Sequence, residues 1–449
     1  MSQGTEVRTE QIFDVEKSSS QLPGPEWLIQ RRKKYVGLLS EAKWPTSSEE
    51  LWRYTDIDNF DLNLYRSLLP EEVGTPGEKT APGGGIIAAE AGENGGLIIL
   101  KDGRVVHCHL DEDLTEQGVI LHAMSTLEGN ALEALLENLG AIAKETSDAF
   151  TLLNEAMSLG GAYISIPKNV VVNKPIVIVH WSEGADIASF PRTFVHAHTN
   201  SAVNLIERFE SSDENIFISS ITETLVEENA QVKFLTTQEE GKNTQHIGLH
   251  RAHIQKDGRF ESSTVSLGGK YVRHRGEVAL LGEGANSDVM AVYYGDNEQL
   301  LDFRTFQDHR APHTTSNLLF KGAVEDRARS VYSGLIRIRE DAQKTEAYQT
   351  NRNLVLDHGA HAESIPNLVI EANDVKCSHG STVGPIDEDQ LYYLETRGVD
   401  PQTAEKLIVL GFFEDVFARL SIPALIEPLR RTVNDKLSAL AKKRETEND

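Results

Sequence analysis

Cysteine is nearly missing. The 449 residues contain two, Cys108 and Cys377, too few for a disulfide framework or a Cys-rich zinc site. That scarcity points to a reducing compartment. Basic charge is also short: 44 Lys and Arg face 69 Asp and Glu, a net charge of −25. This disfavours a broad nucleic-acid or anionic-membrane surface. The apolar stretches, such as Gly96 to Leu100 and Pro175 to Val179, fall far short of the roughly 18 residues a membrane helix needs. The segment up to Pro23 lacks the apolar core of a secretory signal and the acid-poor, Arg-rich bias of a transit peptide. A flexible leader over 1–22 and a cytoplasmic protein are therefore expected. Nucleotide motifs are missing too. Gly74-Thr-Pro-Gly-Glu-Lys-Thr80 has two residues between its glycines where a phosphate loop needs four, and Gly282-Glu-Gly284 lacks a third glycine. There is no nucleophile elbow and no His-Glu-x-x-His.

What is present is a folded chain, 25% charged and 39% hydrophobic, long enough for about three units at roughly 150 residues each. Residues 23–160 read as helical and mixed α/β. Helix-like spacing follows Pro25, and Thr46 with Glu49 has capping-box spacing for a second helix beyond Pro45. Trp52 and Tyr54 offer aromatic anchors, and Gly74 to Gly85 reads as a linker. Further helices are expected around Leu127–Leu139 and Phe150–Met157. Residues 161–385 are a series of short β-type runs separated by similar polar corners, such as Glu228-Asn229-Ala230, Lys256-Asp257-Gly258 and Glu340-Asp341-Ala342. A sandwich, a barrel and a β-solenoid all fit this texture, and the recurring corners favour the solenoid. Residues 386–449 return to helix, with Asp387 and Asp400-Pro401 as starts and Gly398 as a stop. The apolar faces of 401–420 and 423–441, Leu429 and Leu437 among them, exceed what so small an appendage can bury within itself. They are expected to dock a partner.

Several groups of residues offer metal or acid–base chemistry. His107 and His109 share a strand face while Cys108 points to the other, so a polar strand face with a buried thiol is the favoured reading. His196 and His198 form a same-face pair without a nearby third ligand in sequence. His309 and His313 have helical metal spacing, but Pro312 argues against a helix there. The densest group is Asn373-Asp374-Val375-Lys376-Cys377-Ser378-His379-Gly380-Ser381-Thr382-Val383-Gly384. On a strand, Cys377 and His379 fall on one face, and a neighbouring imidazolium lowers a thiol's pKa toward the thiolate that binds iron. Two ligands do not complete a metal site, so the rest would come from a second chain. The bland alternative is a buried cysteine and a structural histidine, and spacing alone leaves both open.

The run from Asn373 to Gly384, followed by Asp389-Gln390-Leu391-Tyr392-Tyr393-Leu394 and Arg397-Gly398, closely resembles the C-terminal signature of the SufB/SufD family of iron–sulfur cluster assembly scaffolds. Pro45 to Thr55 resembles the family's N-terminal signature. Gly161 to Pro167 with Lys174-Pro175-Ile176 is similar to the entry into its β-helix. His309 to Ser316, Lys321-Gly322 and Ala328-Arg329-Ser330 resemble its central block. Gly380 stands where SufB-type chains carry Glu, and Asn351 to Leu356 occupies the place of their sulfur-accepting cysteine. The resemblance therefore implies a SufD-type subunit with a right-handed parallel β-helix. It implies a SufB partner and two copies of the ATPase SufC docked on the terminal helices, with a homodimer possible for the isolated chain. The candidate cluster-site residues it implies are His379 and Cys377, at the SufB interface where a transient iron–sulfur cluster forms. Reduced flavin on the complex is implied without any residue to hold it. On this reading the chain is a scaffold and not an enzyme. The competing reading is a β-helix polysaccharide lyase or hydrolase using carboxylates such as Asp302 and Asp308.

Overall fold

A computed structural model describes residues 13–55, 57–68, 72, 94–420 and 426–448. The first part of the expected leader and the whole linker Gly74–Gly85, with the phosphate-loop lookalike at Gly74–Thr80, lie outside the described residues. The recurring corners do build a parallel β-solenoid, of about 8 turns. It starts with the antiparallel pair β1 (Gly96–Lys101) and β2 (Arg104–Leu110), then β3 (Ile120–Ala123) and β4 (Ala162–Ile166). One sheet continues from β1 through β5 (Ile176–Ser182), β8 (Ala202–Ser211), β10 (Gln231–Glu239), β12 (Arg259–Ser266) and β14 (Asn286–Gly295). It ends with β16 (Thr315–Val324), β18 (Glu346–Val355) and β20 (Lys376–Gly384). The facing sheet continues from β4 through β7 (Arg192–Ala197), β9 (Ile216–Val226), β11 (Gln245–Ile254) and β13 (Tyr271–Leu280). It ends with β15 (Leu300–His309), β17 (Arg329–Ile338) and β19 (His361–Ile370), while β6 (Ile187–Ser189) pairs with β9 off this path. The solenoid sheet thus begins at Gly96, well before the expected boundary at 161, because β1 pairs in parallel with β5.

The polar corners explain the coil. Asn200, Asn229, Asp257 and Lys344 all hold left-handed backbone, which Asn and Asp tolerate better than other side chains. Each donates its N–H to a carbonyl of the next coil: Asn200 to Glu228, Asn229 to Lys256, Asp257 to Glu283. Side chains bonded across neighbouring corners lie 28 to 31 residues apart, as in Lys256–Glu228 and Gln343–Asp374. Between corners, period two sends alternate residues into the bore, so Val203 stacks on Val232 and Leu205 on Phe234. Gly322 in the central block is required by this stacking, since a Cβ there would come within 1.9 Å of the Tyr293 ring.

The N-terminal region differs from expectation in two places. Residues 13–22 are folded and not a flexible leader. Asp14 caps α1 (Val15–Gln21), Phe13 and Leu22 are buried, and Ser19 bonds the Ala156 carbonyl at 2.7 Å. α2 (Glu26–Glu41) follows as expected. The helix expected beyond Pro45 is reduced to one 3₁₀ turn, Glu50–Trp52, although the Thr46 N–H does donate to Glu49 Oε1 at 3.1 Å. Tertiary contact overrides the local signal. Trp52 is buried under the Arg273 guanidinium, 3.7 Å from the ring centroid, and Arg273 also bonds the Leu51 carbonyl. The short α3 (Glu112–Glu116) and the expected helices α4 (Gly129–Asn138) and α5 (Ala149–Met157) complete this region.

At the C-terminus lie α6 (Glu388–Thr396), α7 (Pro401–Phe417) and α8 (Ile426–Asn448). Asp400 caps α7 through the Thr403 N–H at 2.9 Å with Pro401 at the first turn, and Gly398 adopts φ 87° after α6. The expectation that Leu429 and Leu437 face a partner is wrong. Both are buried with Phe413 and Val433 against Val179, Leu235, Val265 and Val292 on the outer face of the chain's own sheet. Lys321 locks this packing by bonding the Phe412 carbonyl (2.7 Å) and Asp415 (2.5 Å). No helix among the described residues is long and apolar enough to cross a membrane.

Candidate functional site

Cys377 and His379 lie on β20, the last strand of its sheet, paired by β18 along one side. Period two gives them the same face, as expected. The register adds what spacing alone did not show: that face is the end of the bore. Cys377 stands over Ala347, itself over Ser316, and His379 stands over Gln349, itself over Leu318. Ala347, Gln349 and Leu318 are buried, whereas His379 is exposed and Cys377 half-buried beside Ala347 and Ala372. The Gln349 amide beneath His379 has both its oxygen and its nitrogen buried without a hydrogen-bond partner. Further along the same strand, beneath Ser381 and Val383, Asn351 and Asn353 bond each other at 2.8 Å and meet the Tyr293 hydroxyl. The column under the site is therefore polar at its mouth and apolar below.

The electrostatics correct one expectation. Burial pushes the Cys377 thiol up from its ordinary value, so it is not the activated thiolate that a neighbouring imidazolium would produce. The exposed imidazole is the more available donor of the two. Tyr392 and Tyr393 on α6 lie further along the same C-terminal signature, 69% and 58% exposed, with the Arg397 guanidinium 5.2 Å from the Tyr393 ring.

The other candidates sort cleanly. His107 and His109 stay on the exposed face of β2, with His109 3.5 Å from Asp111. Cys108 is an exposed residue overall, contrary to the expected buried one, yet its sulfur donates to the Leu121 carbonyl at 3.2 Å, and desolvation pushes the thiol up to about 11. His309 is buried at the end of β15, bonded to Thr314 and Ser316, while His313 is a left-handed corner residue, so the two do not form a helical metal pair. Asp302 is buried between Arg273 and Arg304. Asp308 is buried too. Desolvation raises its carboxyl, but bonds from Arg339 and Arg310 outweigh this and hold it below the usual carboxylate range. Neither carboxylate is free for acid–base work, which removes the support for a lyase or hydrolase. Sequence reading missed Glu227, which lies 31 residues beyond His196 and bonds both His196 and His198. The signal that would have found it is the coil repeat itself.

A family model described as the SufBD core domain of SUF-system FeS cluster assembly matches residues 180–412, and one for the SufBD N-terminal region matches 95–178. An iron–sulfur cluster assembly SufBD family protein of Staphylococcus epidermidis is 25% identical over 415 residues, covering 90% of this chain and 88% of the relative. One from Staphylococcus aureus is 24% identical over 425 residues, covering 92% and 90%. One from Mycobacterium tuberculosis is 35% identical over 223 residues, covering 48% and 56%.

Proposed function

The chain belongs to the SufBD family of iron–sulfur cluster assembly proteins, and from that membership and the site at the open end of its solenoid we propose that it is the SufD-type subunit of a cytoplasmic SufB–SufC–SufD complex. In this role it is a scaffold, not an enzyme. Gly380 next to the site histidine and the cysteine-free run Asn351 to Leu356 support the SufD type over the SufB type. The observation that carries the reading is the pairing of an exposed His379 with a half-buried Cys377 at the mouth of the bore, on a strand whose outer edge is unpaired among the described residues. Two donors are half a site. An imidazole nitrogen from His379 contributes one ligand to the nascent cluster, which is cargo here, and the partner subunit contributes the thiolates. Cys377 is secondary, because its burial disfavours the thiolate. For the ATPase we assign the exposed aromatic face of α6, Tyr392 and Tyr393, with Leu407 of α7, 48% exposed. Flavin on the complex is assigned to no residue of this chain.

The test is iron and sulfide content per assembled complex after co-expression with the SufB- and SufC-type chains. His379→Ala assembles normally but retains at least about tenfold less cluster. Cys377→Ala loses less. Normal iron and sulfide in the His379→Ala complex would end the assignment.

A further inference from the structure

Outside the cluster site, one group of side chains is arranged as a metal site, and no part of the assembly role uses it. His196 is the penultimate residue of β7, His198 directly follows the strand, and Glu227 occupies the equivalent corner one coil on, directly after β9. Backbone pairing fixes the two corners against each other. The Glu227 N–H donates to the Ala197 carbonyl at 2.9 Å, and the His198 N–H to the Ile166 carbonyl at 3.0 Å. Both imidazoles meet a single carboxylate oxygen: His196 Nε2 lies 2.7 Å and His198 Nδ1 3.0 Å from Glu227 Oε1. The rings stack with centroids 3.7 Å apart, which aims one nitrogen of each at the same point. This is the one group among the described residues in which three His, Cys, Asp or Glu side chains bring a ligand atom each within 4.8 Å of one another.

We propose that His196, His198 and Glu227 form a site for a zinc-type divalent cation, with two imidazole nitrogens and one carboxylate oxygen as ligands and solvent in the fourth position. Three observations carry it. First, the spacing is a slightly contracted tetrahedral face. Ligands at roughly 2.0–2.1 Å from zinc stand about 3.3 Å apart, so the ion enters by opening the two present contacts by a few tenths of an ångström. Second, the groups behind two of the three ligands, Glu227 and His198, are already in place, while His196 Nδ1 is buried without a hydrogen-bond partner. The Thr199 N–H and hydroxyl both donate to Glu227 Oε2 at 2.9 Å, leaving Oε1 for the ion. Ser165 Oγ lies 3.2 Å from His198 Nε2, the nitrogen that the ion would not use. Such partners orient ligands and fix the histidine tautomer. Third, access is one-sided. His196 is buried, while His198 and Glu227 are each about one-third exposed, so a water ligand has room on the solvent side. The donor set of two histidines and a carboxylate suits zinc and its first-row neighbours and offers no soft sulfur for a cluster.

The experiment uses the full-length chain, stripped with a chelator, and titrates Co²⁺ as the spectroscopic probe before displacement with Zn²⁺. The expected result is uptake of one Co²⁺ per chain with the visible bands of a tetrahedral N/O site, bleached by an equivalent of Zn²⁺. Glu227→Gln, which preserves shape, and His198→Ala, at a partly exposed position, should each weaken uptake at least about tenfold. His379→Ala and Cys377→Ala should bind Co²⁺ like the wild type, which separates this site from the cluster site. Failure of the wild-type chain to take up an equivalent of Co²⁺ would falsify the proposal without reference to any variant. Uptake that survives Glu227→Gln, or that disappears with His379→Ala, would equally overturn it.

Discussion

Single residues decide where this protein carries charge. Asp102 sits at the β1–β2 hairpin with φ 49°, followed by Gly103 at φ 87°, the left-handed pair that a tight hairpin needs. It is 5% exposed, and desolvation pushes its carboxyl up to about 7, against the opposing bond from the Glu183 N–H at 3.1 Å. A folded-state value above the unfolded one means that ionisation disfavours the fold. The stability linked to Asp102 is full below about pH 4 and is lost as pH rises toward 7. Asp102→Asn keeps the acceptor oxygen and tolerates the left-handed backbone. It should therefore stabilise the chain by about 2–4 kcal/mol at pH 8 and by little at pH 4. Denaturant titrations at the two pH values check this. An equal effect at both would show that the carboxyl is not the titrating group.

At the scale of elements, the C-terminal helices separate packing from the ATPase docking proposed above. Leu429 is fully buried between α8 and the sheet. Leu429→Asp therefore puts a charge into an apolar layer and should cost about 3 kcal/mol or more, seen as a lowered melting temperature and as easier proteolytic release of α8. Any loss of ATPase binding in that variant follows from unfolding of the helix. Tyr393→Asp on α6 should do the opposite: the ring is 58% exposed, so the melting temperature stays put while the ATPase subunit binds more weakly, by about 2 kcal/mol if it is a hot spot. Pull-down and thermal melts on both variants separate the two surfaces. Unchanged binding by Tyr393→Asp would move the ATPase contact elsewhere.

The whole molecule is a stack with unequal ends. Its N-terminal end is closed by the antiparallel strands β2 and β3. Its C-terminal end presents β19 and β20, strands of 10 and 9 residues with one edge each unpaired among the described residues. Ile370 and Val383 there are 44% and 43% exposed. Long open edges with apolar side chains are templates for another chain. On our reading the SufB-type partner covers this end and completes the half site of His379, and a second copy covers it when the chain is alone. Ile370→Lys with Val383→Lys should leave the circular dichroism spectrum unchanged while abolishing co-purification of the partner and converting any homodimer to monomer. Sedimentation velocity reads both outcomes, and a dimer that persists would place the interface elsewhere.

Features whose causes are local can be read directly from the order of residues. Polar corners with Asn and Asp announced a solenoid because left-handed backbone is a property of one residue and its neighbours. Asp400-Pro401 announced α7 because a cap acts within one turn. Cys377 and His379 were legible as a same-face pair because strand period is two. Relations between coils, in contrast, exist only once the chain has stacked. Glu227 joins His196 and His198 across 31 and 29 residues, a span that the stacking of successive corners brings to one point. The register that sets His379 over Gln349 at the end of the bore is equally a product of stacking. The same holds for Leu429, whose apolar face could have met a partner as readily as the chain's own sheet. Amphipathicity states that a face must be covered, and only the packed chain states by what.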